Sequence, residues 1–173
     1  MKIYINDKEY LASEGETIIQ VADRNNIHIP RFCYHKHLSV VASCRMCLVE
    51  IDKVKQAQPA CSTLVHEDMH VNTKSQKTKD AQKSTMEFLL INHPLDCPIC
   101  DQAGECELQD VSLQHGDSKS NYLQFKRVVV DEEISPLIST EMTRCIHCSR
   151  CVRFGEEIAH EKELGLLNRG ENM

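Results

Sequence analysis

The chain has 173 residues, a net charge of −6, ten cysteines and no tryptophan. That charge excludes a broad nucleic-acid-binding surface. No apolar run approaches the ~18 residues that a membrane-spanning helix needs, so no direct membrane span is expected. Aromatic residues are only 5% of the chain. The core must therefore be small, with bound metal compensating. Three uses compete for the cysteines: disulfides, zinc and iron–sulfur clusters. Disulfides require an oxidising compartment and a secretory leader. The N-terminus, Met1 to Asp7, carries a charge at Asp7 and has no apolar leader core. The thiols therefore read as metal ligands.

In chain order, residues 1 to about 75 form one α+β unit. Lys2–Ile5 alternates, Asn6 to Glu9 turns, and Glu9–Ala12 returns, which predicts a hairpin. Glu16 and Thr17 open a helical pattern with Ile18, Ile19, Val21 and Ala22 on one side, and Pro30 is its expected stop. Cys47–Ile51 and Met69–Asn72 read as strands. Residues 74–92 predict a second helix, with a solvated lysine-rich first half. It should end near His93, because Pro94 disfavours helical geometry before it. Residues 93–120 read as a loop with little regular structure. Lys126–Val130 reads as a short strand, and residues 141–160 as helical.

The cysteines fall into three groups. Cys33, Cys44, Cys47 and Cys61 have the spacing C-x10-C-x2-C-x13-C. Four thiolates suit a [2Fe–2S] or [4Fe–4S] centre. Zinc sites usually pair their ligands tightly twice, and only one tight pair is present here. The order hairpin, helix, cysteine loop, strand is that of a β-grasp ferredoxin. Residues 43–47 should wrap the cluster and point backbone N–H groups at its sulfurs. His35 and His37 flank Cys33 and read as surface or supporting groups. The second group is His93, Cys97, Cys100 and Cys106, spaced H-x3-C-x2-C-x5-C. Three cysteines leave a cubane one ligand short, and His93 is placed to complete it. A neutral imidazole in place of a thiolate makes the cluster less negative, which should raise its potential. Zinc on three cysteines and a histidine is the competing reading. The third group, Cys145, Cys148 and Cys151, is C-x2-C-x2-C, the compact core of a [4Fe–4S] run. Bacterial ferredoxins continue to a fourth cysteine after three residues; here that position is Gly155. His147 reads as solvated or as a hydrogen-bond donor to sulfur.

The three motifs, in this order and across essentially the whole chain, resemble the N-terminal region of the G subunit of bacterial NADH–quinone oxidoreductase, respiratory complex I. The resemblance implies a [2Fe–2S] cluster on Cys33, Cys44, Cys47 and Cys61. It implies a [4Fe–4S] cluster on His93, Cys97, Cys100 and Cys106. A second [4Fe–4S] cluster is implied on Cys145, Cys148, Cys151 and one later cysteine, which in family members follows a stretch like Leu164–Met173. The chain stops there, so a truncated or split subunit with an incomplete third site is expected. The first two motifs also occur in [FeFe]-hydrogenases, NAD-reducing hydrogenases and formate dehydrogenases. Those relatives typically carry cysteine where Gly155 stands, so Gly155 favours the complex I subunit.

The expected fold class is α+β. Residues 1–76 form a β-grasp [2Fe–2S] domain, residues 77–117 a [4Fe–4S] domain with one histidine and three cysteine ligands, and residues 135–173 a partial [4Fe–4S] domain. The latter two are mostly helical or irregular. No nucleotide-binding glycine motif and no nucleophile–base pair is present, so no catalytic residue is assigned. The expected role is an electron relay within an oxidoreductase. Its expected partners are a flavin/NADH-oxidising subunit and other iron–sulfur subunits. Its expected place is the cytoplasmic face of the membrane, held there by the complex. A zinc-stabilised binding module is the reading from a different class.

Overall fold

In the computed structural model, residues 1–130, 133–170 and 173 are described. The chain divides into two compact units, Met1–Thr85 and Met86–Met173.

The first unit starts with a hairpin of β1 (Lys2–Ile5) and β2 (Lys8–Leu11), in which Ile5 faces Lys8 across a two-residue turn. Asn6 and Asp7 take φ of 52° and 64°, the left-handed pair such a turn requires and that Asn and Asp tolerate. Helix α1 (Ile18–Arg24) follows. The Thr17 N–H donates to Gln20 Oε1 at 2.8 Å, satisfying an otherwise orphaned donor at the helix start. The helix ends well before Pro30, because Asn26 turns left-handed at φ 57°. Strands β3 (Leu48–Ile51), β4 (Gln58–Pro59) and β5 (Met69–Asn72) complete a five-stranded sheet of order β2-β1-β5-β3-β4. β1 and β5 run parallel, and the other pairs are antiparallel. β4 escaped the sequence pattern, being two residues long with a proline that only an edge position accepts.

One core joins sheet and helix. Ile3, Ile5, Val49 and Val71 from the strands meet Ile18, Ile19, Val21 and Ala22 from α1. Cys47 and Cys61 belong to the same cluster of buried residues. Helix α2 (Gln76–Leu90) is tied to the sheet by buried polar groups. Thr78 Oγ1 accepts the Glu50 N–H at 3.0 Å and donates to the Asn72 carbonyl at 2.8 Å. Gln82 Nε2 donates to the Leu48 carbonyl at 3.1 Å. The division between the units falls inside α2.

The second unit is built differently. Among the described residues its buried hydrophobics are only Met86, Leu108 and Val111, while Leu113, Leu123, Phe125, Val128 and Leu137 are exposed. Burial at ~25 cal/mol per Å2 cannot hold such a segment unaided. The loop expected over residues 93–120 contains a 3-10 turn, Cys97–Ile99, and a nine-residue helix α3 (Glu107–His115). Acidic residues in the first turn of α3 and His115 in its last complement the helix dipole. No strand forms at Lys126–Val130. The Thr143 hydroxyl takes both the N–H and the carbonyl of Val129, at 3.0 and 3.1 Å, where a neighbouring strand would bond. A small hairpin, β6 (Glu133–Ser135) and β7 (Ile138–Ser139), follows. The helix expected over residues 141–160 is broken. His147 and Ser149 are left-handed, at φ 54° and 57°. A 3-10 turn, Met142–Arg144, precedes them, and α4 (Arg150–Phe154) and a wide π-type turn, Gly155–Ala159, follow. Within the Leu164–Met173 stretch, Glu171 and Asn172 lie outside the described residues. Among the described residues no helix is long and apolar enough to cross a membrane.

Thr78→Val would leave the Glu50 N–H and the Asn72 carbonyl without this partner. Urea unfolding followed by circular dichroism should show a loss of about 1–3 kcal/mol.

Candidate metal centres

Cys33, Cys44, Cys47 and Cys61 are all buried. Cys47 lies just before β3 and Cys61 shortly after β4. The pairing of Leu48 with Pro59 therefore brings these distant thiols together. The Ala60 N–H donates to the Cys47 carbonyl at 3.0 Å and extends that pairing. The four thiols form a hydrogen-bonded row, Cys44–Cys33–Cys61–Cys47. Four buried thiols gathered in this way suit an iron–sulfur centre.

Backbone donors surround the row. The Cys33 N–H lies 3.4 Å from Cys44 Sγ. The Met46 N–H also donates to Cys44, and the Cys61 N–H to Cys47. The loop reaches this arrangement through left-handed backbone at Ala42 and Arg45, φ 51° and 58°. Hydrogen bonds from the Cys44 and Cys61 thiols pull Cys33 far below the ordinary thiol value. Cys61, bonded to Cys33 and Cys47, is pushed far above it. Thiols this close and this dry cannot all ionise unless a cation joins them. The donor set thus fits an iron–sulfur cluster.

The segment carrying Cys33 is clamped from outside. Both terminal nitrogens of the Arg31 guanidinium reach the Asp23 carboxylate at 2.6 Å. Arg31 Nε donates to the Ile29 carbonyl at 2.9 Å, and the guanidinium lies 5.6 Å from the centre of the Tyr34 ring. His35 and His37 are exposed, their rings 5.5 Å apart. They are not members of the thiol row.

The second group lies in the second unit. His93 follows the end of α2, and its N–H donates to the Leu90 carbonyl at 3.2 Å. Cys97 opens the 3-10 turn, Cys100 ends it, and Cys106 precedes α3. Gly104 lies between the last two at φ 89°, a conformation that favours glycine. All four candidate ligands line one cavity of about 380 Å3, walled also by Met86, Leu90 and Leu108. Cys97 is exposed, and Cys100 and Cys106 are half-buried. His93 Nδ1 is buried and has no hydrogen-bond partner. Such an orphan calls for an explanation, and a metal bound at that nitrogen supplies one. Burial first, then the charges of Lys126 and Arg144, lower the His93 pKa. The ring is thus kept neutral, the form that ligates metal. The cavity and the orphaned nitrogen fit a cluster held by three thiolates and an imidazole.

The third group is more open. Cys145 and Cys148 are half-buried and Cys151 is exposed. Burial raises the Cys145 thiol pKa. The His147 backbone N–H, not its ring, meets Cys145 Sγ, at 3.3 Å. The ring nitrogen Nε2 instead lies 3.2 Å from the Arg127 guanidinium. Arg150 pairs with Glu107 at 3.0 Å and hydrogen-bonds Cys148. Arg153 is buried, with Nε on the Ser149 hydroxyl at 3.2 Å and a second nitrogen on the Cys148 carbonyl, also at 3.2 Å. A Cβ added at Gly155 would come within 2.9 Å of the Glu161 carbonyl oxygen, so a side chain there requires the backbone to shift. Lys126, Arg144, Arg127 and Arg31 carried no signal in the cysteine spacing. They come from distant segments or lie outside the motifs.

Comparison with known proteins gives the class of the chain. Residues 1–76 match a 2Fe-2S iron-sulfur cluster binding domain. Residues 82–120 match the NADH-ubiquinone oxidoreductase-G iron-sulfur binding region, and residues 135–173 the ferredoxin-like domain of NADH-quinone oxidoreductase subunit 3. This is therefore an iron–sulfur protein, a mixed α/β chain with a 2Fe-2S ferredoxin domain and 4Fe-4S binding regions. The chain belongs to the family of NADH–quinone oxidoreductase G subunits and corresponds to their N-terminal region. It is 46% identical over 173 residues to the NADH-quinone oxidoreductase G subunit of Rickettsia typhi, covering 100% of this chain and 26% of that one. It is 44% identical over 172 residues to the NADH-ubiquinone oxidoreductase 75 kDa subunit of Reclinomonas americana, covering 99% of this chain and 25% of that one. The chain thus spans about a quarter of the length of these curated relatives. A solved NAD+-reducing [NiFe]-hydrogenase in the H2-reduced state superposes with a TM-score of 0.89 at 26% identity, over 99% of this chain and 72% of that one.

The depressed His93 pKa predicts a pH dependence. Below the ordinary value of 6.5 the unfolded chain binds more protons at this position than the folded one. The His93 contribution to stability should therefore rise with pH in that range and fall on acidification. An NMR titration of the metal-free chain should place the ring's midpoint below 6.5.

Proposed function

We propose that the chain is the electron-relay portion of an NADH:quinone oxidoreductase, accepting electrons from a flavin/NADH-oxidising subunit and passing them through further iron–sulfur subunits toward quinone. The observation that carries this reading is the pairing of two unlike sites, a buried row of four thiols and a cavity lined by three thiols and an orphaned imidazole. Family membership over the whole chain supports it. Cys33, Cys44, Cys47 and Cys61 would hold a [2Fe–2S] cluster within a β-grasp domain spanning residues 1–76. The β2-β1-β5-β3-β4 order, with β1 and β5 parallel, supports that name. His93, Cys97, Cys100 and Cys106 would hold a [4Fe–4S] cluster in residues 77–117. Cys145, Cys148 and Cys151 would supply three ligands of a second [4Fe–4S] cluster in residues 135–173, and this set is one ligand short.

When bound, such clusters accept and release single electrons. The protein's part is to hold them, exclude water and set their potentials. N–H groups directed at the sulfurs in the first site stabilise the more negative, reduced charge state. The complex would carry the chain peripherally on the cytoplasmic side of its membrane.

A second reading, the relay segment of an NAD-reducing hydrogenase, draws on the hydrogenase superposition. Gly155 weighs against it. The resemblance implies that such relatives typically carry cysteine there, and this backbone leaves no room for a side chain without moving.

Anaerobic reconstitution with iron and sulfide should give a brown protein whose reduced form shows two distinct EPR signals. His93→Ala should remove or convert the second and spare the first, whereas Cys61→Ser should do the reverse. Zinc in the purified chain with no reducible signal would overturn the electron-transfer reading in favour of a zinc-stabilised binding module.

A further inference from the structure

The ammonium group of Lys126 donates to two backbone carbonyls, Leu90 at 2.8 Å and Ile91 at 3.1 Å. Leu90 is the last residue of α2, and its carbonyl also accepts the His93 N–H. Carbonyls at a helix C-terminus have no intrahelical partner and carry the negative end of the dipole, so a lysine there satisfies both demands. The next residue reinforces the attachment: the Arg127 N–H donates to Asn92 Oδ1 at 3.2 Å. The segment Leu90–Asn92, which delivers His93, is thus fastened at three points by residues more than thirty positions downstream.

Lys126 also lines the same cavity as His93, Cys97, Cys100 and Cys106. Arg144 is the other cation already noted in that wall, but it lies against two carboxylates, Asp96 at 3.7 Å and Glu141. The oxygens that hold Lys126 are neutral, so they fix its position without cancelling its charge. Lys119, Asp117 and Glu87 line the cavity too.

We propose that Lys126 is a positioning residue for the second cluster, holding the His93 segment in place and raising the cluster's reduction potential through a fixed positive charge. This rests on the reading that His93 and the three cysteines bind a [4Fe–4S] cluster. One-electron reduction makes such a cluster one unit more negative. A cation in the cavity wall therefore stabilises the reduced form more than the oxidised one. Arginine can preserve the charge, whereas glutamine keeps a hydrogen-bond donor and loses the charge.

The test is a redox titration of the reconstituted full chain, following the EPR signal that depends on His93, in Lys126→Gln and Lys126→Arg. In Lys126→Gln the ratio of reduced to oxidised second cluster at a fixed poise should fall about tenfold, a shift of about 59 mV to more negative potential for a one-electron couple. Lys126→Arg should stay within about twofold of the parent chain, because the charge is kept. The [2Fe–2S] signal should titrate unchanged in both. An unchanged potential in Lys126→Gln overturns the proposal. If Lys126→Gln sheds the second cluster, Lys126→Arg decides: retention within about twofold of the parent ratio supports the proposal, and loss of the cluster or a larger shift overturns it. Failure of the underlying ligand reading would look different, because the parent chain itself would then show no His93-dependent signal.

Discussion

Four thiols buried against one another are the constraint on which the first unit turns. Sulfur in a dry, crowded pocket resists ionisation, and neighbouring thiolates resist it further. The fold answers with geometry. The antiparallel contact of β3 and β4 brings Cys47 and Cys61 together, while a loop with two left-handed residues carries Cys44 to Cys33. Backbone N–H groups from Cys33, Met46 and Cys61 then donate to the sulfurs. Arg31 fastens the Cys33 segment to α1 through Asp23. Cys47 and Cys61 belong to the hydrophobic core itself, so site and core are one structure.

The second unit reverses that dependence. It buries few apolar side chains and exposes many. Polar ties do much of its local work: Lys126 on the end of α2, Thr143 on Val129, Arg153 on Ser149 and the Cys148 carbonyl. A metal cluster held by His93 and three cysteines would crosslink the end of α2, the 3-10 turn and the start of α3. In the first unit packing positions the ligands; in the second, ligation would supply much of what packing lacks.

The two sites also differ in electrostatics. In the first, neutral backbone dipoles face sulfur. In the second, an imidazole kept neutral by burial sits with Lys126 and Arg144. Were His93 a ligand, a neutral ring in place of a thiolate and the nearby cations would act in the same direction, toward a less negative site. Clusters bound at the two sites would therefore meet unlike surroundings.

Much of this was legible in the residues. Cysteine spacing defined three candidate sites because ligand geometry constrains short loops strongly. Alternation marked β1, β3 and β5, and a one-sided apolar pattern marked α1, because burial on one face imposes a period. The pattern failed where that cause was absent. α3 is polar on most of its faces, and β4 is a two-residue edge. The expected strand at Lys126–Val130 found a threonine hydroxyl in place of a partner strand, and the expected helix after residue 141 was broken by left-handed backbone at His147 and Ser149. Tertiary structure alone decided what surrounds the ligands: the row linking four thiols, the orphaned Nδ1 of His93, the lysine over the end of α2, and the carbonyl that crowds Gly155. Such neighbours are chosen by chain folding across tens of residues, and local spacing carries no record of them.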